Sequence, residues 1–333
     1  MTHILAPFLL ILTFLAGCGQ AAVVGPNTGN QVQPVSASGS LIVEPGDGAA
    51  PYLALVRGAR RAIDVNSYLL TDRDLVAALV ERAAAGVRVR VIVAGNPYHD
   101  QQAVAAERNE FAGTRVQFRL APAPFEGRYV YDHAKYLVAD PGLGGRAILG
   151  SSNLDHAGLG GGNREYDYET GDPAVVANLA TVFDADWAGK SARTASPGPL
   201  VVAPGAESPL VAFIQGARKR LYIESEELGS DRAVLDAVAA AARRGVAVEV
   251  VLPRNLSAAD RRNAAALAGA QVRYLAHPYP HAKLMVADDR MFLGSENISV
   301  SSLDRNREVG IMLAGGPVDR AVQAFGTDFA AAR

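Results

Sequence analysis

The sequence predicts an α/β protein made of two homologous α/β/α sandwich halves packed about a pseudo-two-fold axis. Three observations carry this reading. From about residue 46 onward the chain runs through the same series of segments twice. Within each series, short β-rich runs alternate with helices of 10–15 residues, the pattern of helices layered on a largely buried sheet. Between the series lies a stretch rich in Pro, Gly, Ser and Ala, residues 191–208, that reads as a linker. The halves are therefore expected at 46–190 and 209–333.

The N-terminus comes first. Residues 1–18 hold an apolar run from Ile4 to Leu15 that is too short to span a bilayer, which needs about 20 residues. It suits the core of an export signal, although its first three residues carry no Lys or Arg. Leu15-Ala16-Gly17-Cys18 resembles a bacterial lipobox, in which the cysteine becomes the lipidated N-terminus. Cys18 is the only cysteine of the chain, so an internal disulfide is excluded. Residues 19–45 then read as a polar tether, and the expected location is the cell envelope, lipid-anchored on its outward side.

Each half opens with an apolar helix ending in Gly-Ala-Arg, at 58–60 and 216–218, followed by a β-rich run. A second helix follows, LVAALVERAAAG (75–86) and AVLDAVAAAARRG (233–245), each stopped by a glycine in C-cap position. Buried-strand candidates come next, VRVRVIVAGN (87–96) and VAVEVVLPRN (246–255). The halves also close alike, with VFDADW (182–187) matching AFGTDF (324–329).

The chemistry sits late in each half. Half one reads His133-Ala-Lys135-Tyr-Leu-Val-Ala-Asp140, a turn, Gly150-Ser151-Ser152-Asn153, then Asn163-Arg164-Glu165. Half two reads His281-Ala-Lys283-Leu-Met-Val-Ala-Asp288, a turn, Gly294-Ser295-Glu296-Asn297, then Asn306-Arg307-Glu308. Residues two apart on a strand share a side, so each His and Lys project together. A returning strand can carry the Ser and Asn back toward them. Two such sets face to face offer imidazoles, ammoniums, hydroxyls and amides to one phosphate diester. The lysines would neutralise its oxygens, and the histidines would divide the nucleophilic and acid work. Of only four lysines in the chain, two fall in these slots, which makes coincidence a poor explanation.

This doubled signature resembles that of the phospholipase D superfamily, over essentially the whole chain from residue 46. The resemblance implies the phospholipase D-like fold, with a mixed sheet in each half, and a phosphohistidine mechanism without metal or cofactor. By that resemblance His133 is the nucleophile and His281 the acid and base; the sequence itself does not break the symmetry. Lys135, Lys283, Asn153 and Asn297 are expected on the phosphate oxygens with Ser151 and Ser295 in support. Glu165 and Glu308 are expected to orient the histidines. Asp140 and Asp288 lie past the strand ends and are expected to fix the turns. His99 and His277 read as loop histidines at the pocket mouth, and the spacing of His277 and His281 fits no common metal-ligand pattern.

The net charge of −2 gives no whole-molecule attraction to nucleic acid. Glu224, Glu226 and Glu227 occupy the half-two strand equivalent to Val65–Tyr68, close to the expected pocket, and oppose a polyanion. The expected partner is a phospholipid at a membrane surface, with water or an alcohol as acceptor and a monomeric enzyme. An exported nuclease is the alternative, and a non-catalytic phosphate-binding envelope protein the reading from another class.

Overall fold

The computed structural model describes residues 32–98, 100–142, 144–190 and 198–333. The export signal, Cys18 and His99 lie outside the described residues. Half one, with the segment before it, runs β1 (Val35–Ser36), β2 (Ser40–Glu44), α1 (Ala50–Gly58), β3 (Ala62–Ser67), α2 (Arg73–Ala84), β4 (Arg88–Val93), α3 (Gln101–Phe111), β5 (Gln117–Leu120), β6 (Tyr136–Ala139), β7 (Arg146–Gly150), β8 (Asn163–Thr170) and α4 (Pro173–Trp187). Half two runs β9 (Leu200–Ala203), α5 (Glu207–Gln215), β10 (Arg220–Ser225), α6 (Arg232–Arg243), β11 (Ala247–Pro253), α7 (Ala258–Ala265), β12 (Gln271–Leu275), β13 (Tyr279–Pro280), β14 (Lys283–Ala287), β15 (Arg290–Gly294), α8 (Val300–Asp304), β16 (Glu308–Ala314) and α9 (Gly316–Ala331).

Each half forms a mixed sheet of the same topology. In half one β3, β4 and β5 are parallel, while β6, β7 and β8 continue antiparallel from the other side of β3. In half two β10, β11 and β12 repeat the parallel part and β14, β15 and β16 the antiparallel part. The helices α2 and α6 form where apolar residues recur at helical spacing. An aspartate caps each start, with Asp72 accepting from Leu75 N and Asp231 from Val234 N. Just beyond each end, Gly86 (φ 93°) and Gly245 (φ 87°) take the left-handed conformation that other residues resist.

Strand alternation sorts the core into layers. On β6 the side chains of Tyr136 and Val138 join a central cluster, whereas Leu137 and Ala139 pack outward under the α1 and α2 helices. On β14 Leu284 and Val286 enter the same central cluster, and Met285 and Ala287 pack outward under α5 and α6. The central cluster also takes Val175, Leu179 and Phe183 of α4 and Val318 and Ala321 of α9. The two sheets thus share one apolar layer, which holds the reactive ends of both halves at a fixed separation.

Two expected boundaries are corrected. Residues 40–44, placed in the tether, form β2 and pair with β8 through Ser40↔Glu169 to Glu44↔Glu165. Upstream, β1 pairs with β16, so it joins the sheet of the other half. At the linker, β9 (Leu200–Ala203) pairs with β16, so half two begins inside the segment assigned to 191–208. In both places a short apolar run is flanked by turn residues, and the sheet edge recruits it.

Candidate active site

The two halves meet in a cleft of about 880 Å³. It lies where the parallel strands end, the usual ligand position in open α/β sheets. Tyr68 follows β3, Tyr98 follows β4, Glu226 and Glu227 follow β10, and Asn255 follows β11; all line the cleft. His133 and His281 reach it from the starts of the antiparallel strands β6 and β14, and both are more than nine-tenths buried.

The carboxylates that hold the histidines are exchanged between halves. His133 Nδ1 lies 2.9 Å from Glu308 Oε2, and His281 Nδ1 lies 2.6 Å from Glu165 Oε1. Backbone pairing enforces the exchange. The backbone entering each motif bonds at or beside the Asn-Arg-Glu segment of the opposite half, His133 N to Arg307 O (2.8 Å) and Tyr279 N to the O of Gly162, which precedes Asn163 (3.0 Å). Each Asn then braces its neighbouring carboxylate, Asn163 Nδ2 donating to Glu165 Oε1 at 3.1 Å and Asn306 Nδ2 to Glu308 Oε1 at 3.0 Å. The Arg between them crosses over as well. Arg307 pairs with Asp186 at 2.8 Å, and Arg164 with Asp328 at 2.5 Å. The side chains of this exchange are buried apart from Asn163 and Arg164, which are partly buried, so the exchange is built into the core and not added at its surface.

The lysines sit behind the imidazoles. Lys135 Nζ donates to His133 O and Lys283 Nζ to His281 O, both at 2.5 Å. Burial, reinforced by the charge of Lys283, pulls Lys135 down to about 7. Burial likewise lowers His133 to about 4, against the opposing pull of Glu308, so its imidazole is neutral near pH 7. Burial raises Glu308, but His133 and Lys135 outweigh it and keep that carboxyl ionised.

The flanks of the two lysines differ. Tyr68 packs edge-on against His133, with ring centroids 4.7 Å apart, and Lys135 Nζ stands 5.2 Å from its ring. At the corresponding place in half two, Glu226 Oε2 lies 3.0 Å from Lys283 Nζ and 3.5 Å from His281 Nε2.

Asn153 and Asn297, expected on the phosphate, line the cleft beside the histidines. The two motif serines, expected in support, do not line the cleft and lie behind it. Ser151 Oγ donates to Glu165 Oε2 at 2.7 Å, so it steadies the carboxylate of His281. Ser295 Oγ accepts from Val309 N at 3.0 Å, and Ser302 takes over the carboxylate, donating to Glu308 Oε1 at 2.6 Å. Asp140 and Asp288 lie at turns away from the cleft, in the left-handed region at φ 50° and 58°. Each accepts three backbone N–H bonds, from Arg60, Arg61 and Ala62 or from Arg218, Lys219 and Arg220. They clamp the entry to the neighbouring parallel strand. Of the three carboxylates expected on this strand, only Glu224 lies on β10, buried against the Tyr166 hydroxyl at 2.8 Å; Glu226 and Glu227 follow the strand and face the cleft. Burial pushes Glu224 well above the usual carboxylate range, so it adds no charge to the pocket. His277 does not line the cleft.

Ser302, Arg164, Arg307, Asp186 and Asp328 escaped the sequence reading as functional supports. The Arg and Asp were visible as repeated letters in the Asn-Arg-Glu and closing segments; Ser302 has no equivalent in half one and left no signal.

Residues 52–187 and 210–332 match the family model described as "Cardiolipin synthase, PLD-like domain". A cardiolipin synthase of Staphylococcus aureus (strain N315) is 32% identical over 127 residues, covering 35% of this chain and 26% of that relative's length. Cardiolipin synthase A of Pseudomonas putida (strain W619) is 24% identical over 329 residues, 86% of this chain and 68% of the relative. Among solved structures, the phosphatidylserine synthase of Haemophilus influenzae Rd KW20 superposes with a TM-score of 0.66 at 12% identity, over 92% of this chain and 89% of that one. That likeness is one of fold, and the family match covers both halves with both sets of motif residues: the chain belongs to the cardiolipin synthase-type PLD-like domain family of the phospholipase D superfamily.

Proposed function

We propose that the protein is a phosphodiesterase and phosphatidyltransferase acting on phospholipids through a phosphohistidine intermediate. The observation that carries this is the pair of cleft-facing histidines, each held by a carboxylate of the opposite half and backed by a buried lysine. His133 is neutral, with Nδ1 directed at Glu308, which leaves the Nε2 lone pair for attack on phosphorus. A P–N bond forms, the P–O bond to the departing alcohol breaks, and His281 Nε2 gives that alcohol its proton. Deprotonated His281 then takes a proton from water or a second alcohol, whose oxygen attacks phosphorus and breaks the P–N bond. His281 suits the acid role because its Nε2 faces Glu226, an acceptor for the proton it carries. Lys135, Lys283, Asn153 and Asn297 would hold the non-bridging oxygens. The lipobox-like Leu15–Cys18 supports a lipid-anchored enzyme in the cell envelope, positioned on its substrate's surface.

The test uses protein lacking residues 1–18 on phospholipid vesicles, with and without a primary alcohol, beside a single-stranded DNA control. Released headgroup together with phosphatidyl-alcohol is the expected result. Intact lipid with degraded DNA would overturn it.

A further inference from the structure

Strand register makes Tyr68 and Glu226 equivalent positions: β3 pairs with β6 through Ile63↔Ala139, and β10 with β14 through Leu221↔Ala287. One half therefore places a neutral aromatic ring against its lysine and histidine, and the other places a carboxylate. That carboxylate contacts Lys283 Nζ and His281 Nε2, the atoms expected to receive phosphate oxygens in half two. We propose that Glu226 is a specificity-determining residue that occupies part of the phosphate seat and restricts the cleft to phosphodiesters of one negative charge with an uncharged or cationic alcohol group.

Charge balance in the seat produces this selection. Glu308 stands against a neutral His133, Glu165 against His281, and Glu226 sets a third carboxylate on Lys283, so the three carboxylates already meet the cations of Lys135, Lys283 and the acid form of His281 before a ligand binds. A diester adds one negative charge to that balance, the least a phosphate ligand brings. A phosphate monoester dianion or a polyanion would leave more unbalanced negative charge in a partly enclosed site, which is costly. Without Glu226 one more cationic charge would be free to meet the ligand, and the penalty on those anions would fall. Burial raises Glu226, but His281 and Lys283 outweigh it and keep the carboxyl ionised. Beyond the seat, Glu227 and Asp260 continue the same wall, so the bound alcohol meets negative potential there; the arginines of the lining, Arg128 and Arg305, are exposed. The proposal rests on the phosphodiester reading of the site.

Its test compares the wild type with Glu226→Gln, which keeps the shape, and Glu226→Ala, which empties the position in case the first variant misfolds. Titration with inorganic phosphate by calorimetry reads the seat without requiring turnover. Phosphate affinity is expected to rise about tenfold in the variants, because a like charge leaves the seat. The preference for bis(p-nitrophenyl) phosphate over the dianionic p-nitrophenyl phosphate is expected to fall by a similar factor. Unchanged or weaker phosphate binding in a folded variant would overturn the proposal, even with lipid turnover intact. Tighter phosphate binding in variants of a protein that leaves lipid vesicles untouched would uphold the charge selection and remove the lipid reading alone.

Discussion

The two halves agree in most of the residues that build the frame and differ beside the reacting centre. Asp140 and Asp288 make the same three backbone contacts; Arg164–Asp328 and Arg307–Asp186 are the same crossing pair; each imidazole has its carboxylate. Beside the lysines the agreement stops, with Tyr68 in one half and Glu226 in the other. Carboxylate bracing differs too, through Ser151 in half one and Ser302 in half two. A duplicated motif therefore specifies the reagents, and unmatched neighbours assign their roles.

The comparison breaks most sharply at the histidines. His133→Ala and His281→Ala should each lower turnover by about ten-thousandfold, as with other reagents that act as a unit. A good leaving group such as nitrophenol separates the two, since it departs without a proton. His281→Ala quenched in denaturant at alkaline pH, where a P–N bond survives, should then carry substrate phosphorus on His133, detectable by mass spectrometry. An adduct on His281 in the reciprocal variant would reverse the roles. Next in size are the crossing arginines. Arg307→Met strands the buried Asp186 and should cost about 3–5 kcal/mol in urea denaturation. Arg164→Met should cost less, since Arg164 is only partly buried; equal losses would show that burial does not distinguish the two crossings. Smaller again are the serines. Ser151→Ala and Ser302→Ala should each reduce kcat about tenfold by loosening a carboxylate, whereas Ser295→Ala should affect melting temperature more than kcat.

The pH profile gives the gentlest test. With His133 near 4 and Lys135 near 7, kcat/KM should fall below about pH 4 as the nucleophile protonates. It should also fall above about pH 7, as Lys135 loses its charge. For stability the sign follows from which state holds the proton. Between about 7 and its ordinary value of 10.5, Lys135 is protonated in the unfolded chain and not in the folded one. Its contribution therefore becomes less favourable as pH falls through that window. Lys135→Met should accordingly raise the melting temperature by a few degrees near pH 7 while abolishing turnover. A lower melting temperature would show that the charge is well accommodated.

Much of the site was legible because it was written twice. The His-x-Lys spacing, the Gly-Ser-x-Asn return and the Asn-Arg-Glu segment each gained meaning from their second copy. The α/β class followed from periodicity, and the stop glycines Gly86 and Gly245 from position. What escaped reading was long-range. No local pattern says that Glu308 serves His133, 175 residues away. The partners of Ser151 and Ser295 are not legible because both residues lie just past a strand's last residue, Gly150 or Gly294, where alternation no longer fixes the side a side chain takes. β2 was hidden because four apolar-to-acidic residues after Gly39-Ser40 look like part of a polar tether until a sheet edge claims them.

The crossing of the carboxylates makes the reactive centre a property of association, although it is encoded in one chain. A protease cut between the halves would yield two fragments, each carrying a histidine whose acid lies on the other piece. Neither fragment would have a low residual rate that could be improved alone; catalysis would appear only as the pieces met, with the square of their dilution in place of a first-order decline. Covalent linkage is what makes this enzyme's rate proportional to its concentration.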